Sequence, residues 1–273
     1  MILVIDVGNS RMKWALHDPR GWLAQGALPN QEIGTLSLRD WQNLPRPVRA
    51  IGVNVAGEAA RVRVEGQLTR WRLPMEWLYA TSSACGVTNR YDKASQLGPD
   101  RWASLIAARH RALDDPRAAS PCIVVNAGTA VTIDALDIDG VFQGGLILPG
   151  IRLMIEALAE KTAALKVPLG TYAHFPTSTS DAIYAGAIHA ICGAIELLRL
   201  KVRHDDALVR LHARLAAVDR ADRQAQELER LLRGRGPREA LHAEARRLLG
   251  VALLPGEVPE AVVDVVHRHQ RRG

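Results

Sequence analysis

The chain has 273 residues, 48% of them hydrophobic, and a formal net charge of +6. That length suits two domains by the prior of roughly 100–200 residues each, and no run reaches the ~18 apolar residues of a membrane span. The N-terminus enters a strand without a basic leader, and the widely spaced Cys85, Cys122 and Cys192 lack metal-ligand spacing, so a cytoplasmic protein with reduced thiols and no membrane partner is expected.

The charge is uneven. Residues 199–273 hold 16 Lys and Arg against 11 Asp and Glu. A basic sequence raises nucleic-acid binding, but here the excess sits in a helical-looking tail rather than on a basic face with interleaved aromatics. Nucleic acid is therefore the weaker reading.

Met1 to Ile5 is an apolar, β-branched run that ends on Asp6 and the turn residues Gly8, Asn9 and Ser10; Met12, Trp14 and Leu16 then alternate with other residues. The pattern predicts a buried strand, a tight turn and a half-buried second strand. A carboxylate at a strand mouth beside exposed turn amides suits a metal–phosphate complex. An ordinary hairpin turn is the competing reading of the same residues. There is no G-x-G-x-x-G and no Walker A loop.

Trp22 to Leu28 reads as a third strand, Leu36 to Leu44 as a short helix, and Val48 to Val53 as a strand. Val55 to Thr69 reads as an amphipathic helix and Met75 to Leu78 as a short strand. Strands interleaved with helices predict an α/β mixed sheet with helical crossovers. Further on, Gly98-Pro99 opens a helix, with Pro99 at its first position and Trp102, Leu105 and Ile106 forming its apolar face. Asp100 and Arg101 then lie in the first turn. A carboxylate there interacts favourably with the helix dipole, and it could also orient and deprotonate a hydroxyl.

The opening motif returns about 120 residues later. Cys122 to Asn126 is another apolar run, followed by Gly128, Thr129 and the alternating Val131, Ile133 and Ala135; IDVGNS (5–10) matches VNAGTA (125–130). Internal self-similarity of this kind points to two copies of one supersecondary unit. Two phosphate turns facing one another across a cleft would make a nucleotide site. A hairpin turn over 137–140, a glycine-rich exit GGLILPG (144–150) and a helix from Ile151 to Ala164 follow. Residues 177–180 offer N-caps for a long helix from Asp181 to about Arg199. Gly186 and Gly193 share a face of that helix; close approach of another backbone or of a flat ligand is one reading, and tight helix packing is the expected reason.

These pieces carry a family resemblance. DVGNSRMK (6–13), Tyr91 with GPDRW (98–102), NAGTAVTID (126–134), GGLILPG (144–150) and the hydroxyl cluster ending at Thr179 come in the order and spacing of the type III pantothenate kinases, a group that includes Bvg accessory factor proteins. The resemblance covers about the first 200 residues. It implies duplicated ribonuclease H-like domains of the actin, Hsp70 and sugar kinase superfamily, and ATP-dependent phosphorylation of pantothenate on the route to coenzyme A. Domains are expected over 1–118 and 119–204, with an atypical helical segment over 205–273.

By position, the resemblance implies that Asp6, Val7, Gly8, Asn9, Ser10, Arg11, Met12 and Lys13 bind the ATP phosphates. Asp6 would hold magnesium, and Thr129 would meet the phosphates from the second turn. Tyr91, Gly98, Pro99, Asp100, Arg101 and Thr179 would line the pantothenate pocket, with Asp100 as general base on the primary hydroxyl. A homodimer built partly on the long helix is also implied.

Two departures from the family pattern stand out. Asn126 replaces an Asp that helps hold potassium or ammonium; it keeps a carbonyl oxygen and loses the charge. After Tyr184 there is no Phe, Tyr or Trp, the expected T-G-G loop near the adenosine is missing, and helices are expected over 205–233, from Pro237 to Gly250 and from near Pro259. A non-catalytic accessory protein of the same fold is the alternative function.

Overall fold

The computed structural model describes residues 1–114 and 120–209. They belong to two compact units, one within Met1–Asp115 and the other beginning at Pro116. The helices expected from residue 210 onward lie outside the described residues.

The first unit is built on strands β1 (Ile2–Val7), β2 (Arg11–Asp18), β3 (Gly21–Pro29), β4 (Arg49–Asn54) and β5 (Met75–Trp77). Their order is β3-β2-β1-β4-β5. β1 runs antiparallel to β2 and parallel to β4, and β4 runs parallel to β5. A three-strand meander extended by parallel crossover strands is the ribonuclease H-like sheet. The parallel strands need crossover connections, and helix α1 (Glu58–Leu68) supplies the one from β4 to β5.

Side-chain alternation sets the core. Leu3, Ile5 and Val7 of β1 and Met12, Trp14 and Leu16 of β2 are buried on one face. They pack with Val64 and Leu68 of α1 and with Trp41 and Trp71. Each such side chain contributes roughly 1.5–3 kcal/mol on burial. The apolar run at the N-terminus is thus covered fully on one face only: Val4 is 40% exposed, and Asp6 shares its side of the strand.

Three local expectations are corrected. The helix expected over 36–44 is a 3-10 segment over Asn30–Leu38 followed by turns, because Gly34 and Ser37 interrupt a region with too few helix formers for a regular α-helix. The helix expected from Val55 starts at Glu58, since Asn54 folds residues 55–57 into a turn. A hairpin of β6 (Ser83–Ala84) and β7 (Val87–Asn89) was not expected. It turns through Cys85 and Gly86, at φ 50° and 76°, and two successive positive φ values define a tight hairpin turn.

Helix α2 (Pro99–Asp114) begins at the expected proline and packs against β4. The second unit repeats the meander with β8 (Cys122–Ala127), β9 (Ala130–Leu136) and β10 (Val141–Pro149), adjacent in the order β10-β9-β8. Helices α3 (Ile151–Lys161) and α4 (Thr179–Val209) pack against this sheet and each other. α3 stops three residues short of the expected Ala164, where Thr162 turns extended and its hydroxyl donates to the Leu158 carbonyl at 2.8 Å.

α4 starts two residues early and runs past Arg199 to Val209. Ser178 caps it: the Asp181 N–H donates to Ser178 Oγ at 3.2 Å, and Ser178 Oγ donates to Asp181 Oδ2 at 2.8 Å. Its Thr179–Val202 stretch is long and apolar enough to cross a membrane by length and composition. Part of that apolar character is explained by packing, since Ile191, Ala194, Ile195 and Leu198 join the core over β8 and β9. Among the described residues nothing packs closely on Gly186 or Gly193, where a Cβ would meet no described atom within 4 Å.

Candidate active site

The turn between β1 and β2 is tightly tied. The Gly8 N–H donates to the Arg11 carbonyl at 3.0 Å. Val55, in the turn after β4, donates its N–H to the Val7 carbonyl at 2.9 Å. Asp6 and Lys13 are register partners across the hairpin, and such cross-strand neighbours on one face interact directly. Lys13 Nζ lies 3.1 Å from Asp6 Oδ2, with the Asp6 side chain 40% exposed. A carboxylate, an ammonium and a glycine-containing turn therefore share one end of the sheet. Within the 6–13 segment, Val7 and Met12 are buried in the core and serve to anchor it. Arg11 is turned back on the hairpin, donating to the Ala27 carbonyl at 3.2 Å.

The second turn, residues 128–129, is one residue shorter and is also tied by backbone bonds. The Gly128 N–H donates to the Ala130 carbonyl at 3.0 Å, and the Gly150 N–H donates to the Thr129 carbonyl at 2.8 Å. Gly150 is required there, since a Cβ would come within 2.1 Å of the Gly128 carbonyl oxygen. Asn126, at the end of β8, donates through Nδ2 to Thr132 Oγ1 at 3.4 Å.

Tyr91, Gly98, Asp100 and Arg101 come together at the N-terminus of α2. Arg101 is almost fully buried. Its guanidinium donates to Tyr91 Oη at 3.1 Å and lies 5.7 Å from the Tyr91 ring centroid. Asp100 Oδ1 accepts the Arg101 N–H at 2.8 Å. It also lies over Gly98, where a Cβ would come within 2.6 Å of it. Glycine at 98 thus leaves room for the carboxylate, and Pro99 sets the start of the helix. Thr179 belongs to the second unit; it opens α4 and lines an apolar groove of about 490 Å³ with Met154, Leu158, Leu165, Ala182 and Ile183.

Three asparagines that the sequence reading passed over hold these loops. Asn30 reaches the first turn from the end of β3, donating to the Gly8 and Asn9 carbonyls. Asn54 accepts the Ala56 N–H at 2.9 Å and donates to the Gly57 carbonyl at 2.9 Å, which folds the turn after β4. Asn89 donates to the Thr81 and Ala94 carbonyls, each at 3.2 Å, and accepts the Tyr91 N–H at 3.0 Å. For Asn54 and Asn89 the available signal was an asparagine at a strand exit, where its side chain can mimic backbone groups.

Comparison with known proteins adds to this geometry. The family profile described as type III pantothenate kinase matches residues 2–200. A type III pantothenate kinase of Leptothrix cholodnii is 45% identical over 208 residues, covering 74% of this chain and 79% of that one. One from Acidovorax ebreus is 46% identical over 205 residues, with the same shares covered. Among solved structures, a Baf family protein from Campylobacter jejuni has a TM-score of 0.43 at 22% identity, covering 71% of this chain and 77% of that one.

Proposed function

Because the chain belongs to the type III pantothenate kinase family, we infer that it transfers the γ-phosphoryl group of ATP to pantothenate in coenzyme A biosynthesis. The observation that carries this reading is the match over residues 2–200, which includes each of the two turns and the α2 N-terminus. No observation favours the non-catalytic alternative.

The chemistry is phosphoryl transfer, in which positioning and charge neutralisation dominate. In our reading the 6–13 segment and Thr129 hold the ATP phosphates, and Lys13 offsets their charge. Asp100 takes the proton of the pantothenate primary hydroxyl as the new O–P bond forms and ADP leaves. Tyr91, Gly98, Pro99 and Arg101, with Thr179, bind the rest of pantothenate, and the Arg101–Tyr91 contact keeps both side chains in place.

Magnesium fits at Asp6. The carboxylate is accessible and already faces a cation, Lys13, and magnesium is commonly held by one or two carboxylates together with substrate phosphates. When bound, it would neutralise developing charge on the phosphates. Potassium or ammonium fits less well. Asn126 offers an uncharged amide beside the Thr132 hydroxyl, so activity independent of the monovalent cation is the reading we adopt.

A homodimer through α4 accords with its outer face. Gly186, Gly193, Leu197 and Leu200 lie on one exposed stripe, with Leu197 63% and Leu200 49% exposed. Large exposed apolar side chains beside small residues suit association, and a dimer would account for the helix's apolar outer face in a cytoplasmic protein. The function is tested by incubating the chain with MgATP and a panel of hydroxy acids. ADP release that depends on pantothenate, with a phosphopantothenate product by mass spectrometry, is expected; release with another acceptor only would redirect the assignment.

A further inference from the structure

The two turns differ in length, residues 8–10 against 128–129, but share one backbone bond. In each, the first residue after the meander's third strand donates its N–H to a turn carbonyl: Asn30 to Ser10 at 3.2 Å, and Gly150 to Thr129 at 2.8 Å. Position 150 has no room for a side chain. Position 30 carries an amide, and Asn30 Nδ2 donates to the Gly8 carbonyl at 2.8 Å and the Asn9 carbonyl at 3.0 Å. One residue thus engages three consecutive carbonyls, those of residues 8, 9 and 10. Its own carbonyl accepts Arg63 Nη1 from α1 at 3.4 Å.

The orientation is informative. In a trans peptide the N–H points opposite to the C=O. With the Gly8 and Asn9 carbonyls drawn toward Asn30, the N–H groups of Asn9 and Ser10 are directed away from it. Amides held in one direction in a turn make an anion-binding concavity. The arrangement has a cost, because Asn30 Oδ1 is buried without a hydrogen-bond partner among the described residues, and an unpaired buried acceptor is unfavourable. The opposite amide orientation would set Oδ1 against two carbonyl oxygens.

We propose that Asn30 is a positioning residue for the nucleotide: it sets the affinity for MgATP by fixing the 8–10 turn, without touching the substrate. The inference rests on the reading of residues 6–13 as the phosphate-binding segment.

The test compares Asn30→Ala and the isosteric Asn30→Asp with the unmodified chain and with Val64→Ala, a core variant that lowers Tm away from the turn. The readouts are the Kd for magnesium with a non-hydrolysable ATP analogue, the KM for pantothenate, and amide hydrogen exchange at residues 9 and 10. Misplacement of about 1 Å can cost about 10²-fold. Both Asn30 variants should therefore weaken nucleotide binding by about 10- to 100-fold, speed exchange in the turn and leave the pantothenate KM within about twofold. Val64→Ala should leave the Kd unchanged. Nucleotide Kd values within about twofold of the unmodified chain, or a parallel rise in the pantothenate KM, would overturn the proposal. If the unmodified chain binds nucleotide but does not phosphorylate pantothenate, the kinase reading fails while the Asn30 affinity ratio still decides this inference. If it binds no nucleotide, the inference falls with the role of the turn.

Discussion

Lys13 Nζ sits 3.1 Å from Asp6 Oδ2, across paired residues of β1 and β2. The pair is partly exposed, and such pairs contribute only about 0–1 kcal/mol to stability. We propose that its value is functional: a carboxylate for the metal and an ammonium for phosphate, held at one strand end. Asp6→Asn should lower kcat/KM for MgATP by about 10- to 100-fold, the range seen when a metal site loses a supporting group, while Tm barely moves. Steady-state kinetics over a magnesium titration, with thermal melts alongside, check this. An unchanged magnesium dependence would remove Asp6 from the metal role.

The Arg101–Tyr91 contact predicts a selective defect. Tyr91→Phe removes the acceptor at 3.1 Å from a buried guanidinium. A hydrogen bond to a charged group contributes about 1.5–3 kcal/mol. The pantothenate KM should rise by about tenfold or more, and the ATP KM should hold. Equal rises in both would place Tyr91 outside the acceptor pocket.

Asn126 predicts insensitivity to the monovalent cation. Replacing potassium by sodium at constant ionic strength should change the rate by less than about twofold, and Asn126→Asp, which adds a charge able to hold such a cation, should create a preference. A large loss of rate in sodium with the unmodified chain would show that an uncharged oxygen suffices at this position.

One pH effect on stability follows from Glu65. Trp77 Nε1 and Arg61 Nε both donate to Glu65 Oε1, at 2.7 and 2.9 Å, and together they hold this carboxyl below its ordinary value of 4.5. The folded state therefore favours the ionised form. Its stabilisation is complete above the ordinary value and is lost as pH falls through the lower folded one. Tm should fall on acidification through this range, and Glu65→Gln should give a flatter curve that starts lower at neutral pH. Parallel curves for the two proteins would contradict the assignment.

Much of the first unit was legible because its strands carry a period of two. Met12, Trp14 and Leu16 alternate and are buried, and Pro99 marks the start of α2 as its missing N–H requires. The second turn was legible through its likeness to the first. What could not be read was set by contacts distant in sequence. Asn30 acts on carbonyls 20 to 22 residues earlier, and no local pattern distinguishes it from an ordinary turn asparagine. The β6–β7 hairpin is too short to show a period, and Cys85 at positive φ gives no turn signal. At Gly186 and Gly193 small size suggested close packing, and among the described residues nothing lies within 4 Å of a Cβ built there.

The most direct measurement is the turnover of Asp100→Asn beside its nucleotide affinity. Asp100 Oδ1 is placed over Gly98 at the start of α2, where the account has it receive the acceptor proton, and general-base contributions are typically about 10²–10⁴-fold. The kcat for pantothenate phosphorylation should fall by about that factor while the Kd for the magnesium complex of an ATP analogue stays within about twofold. An Asn variant that keeps full turnover, or one that loses nucleotide binding in step with turnover, would contradict it.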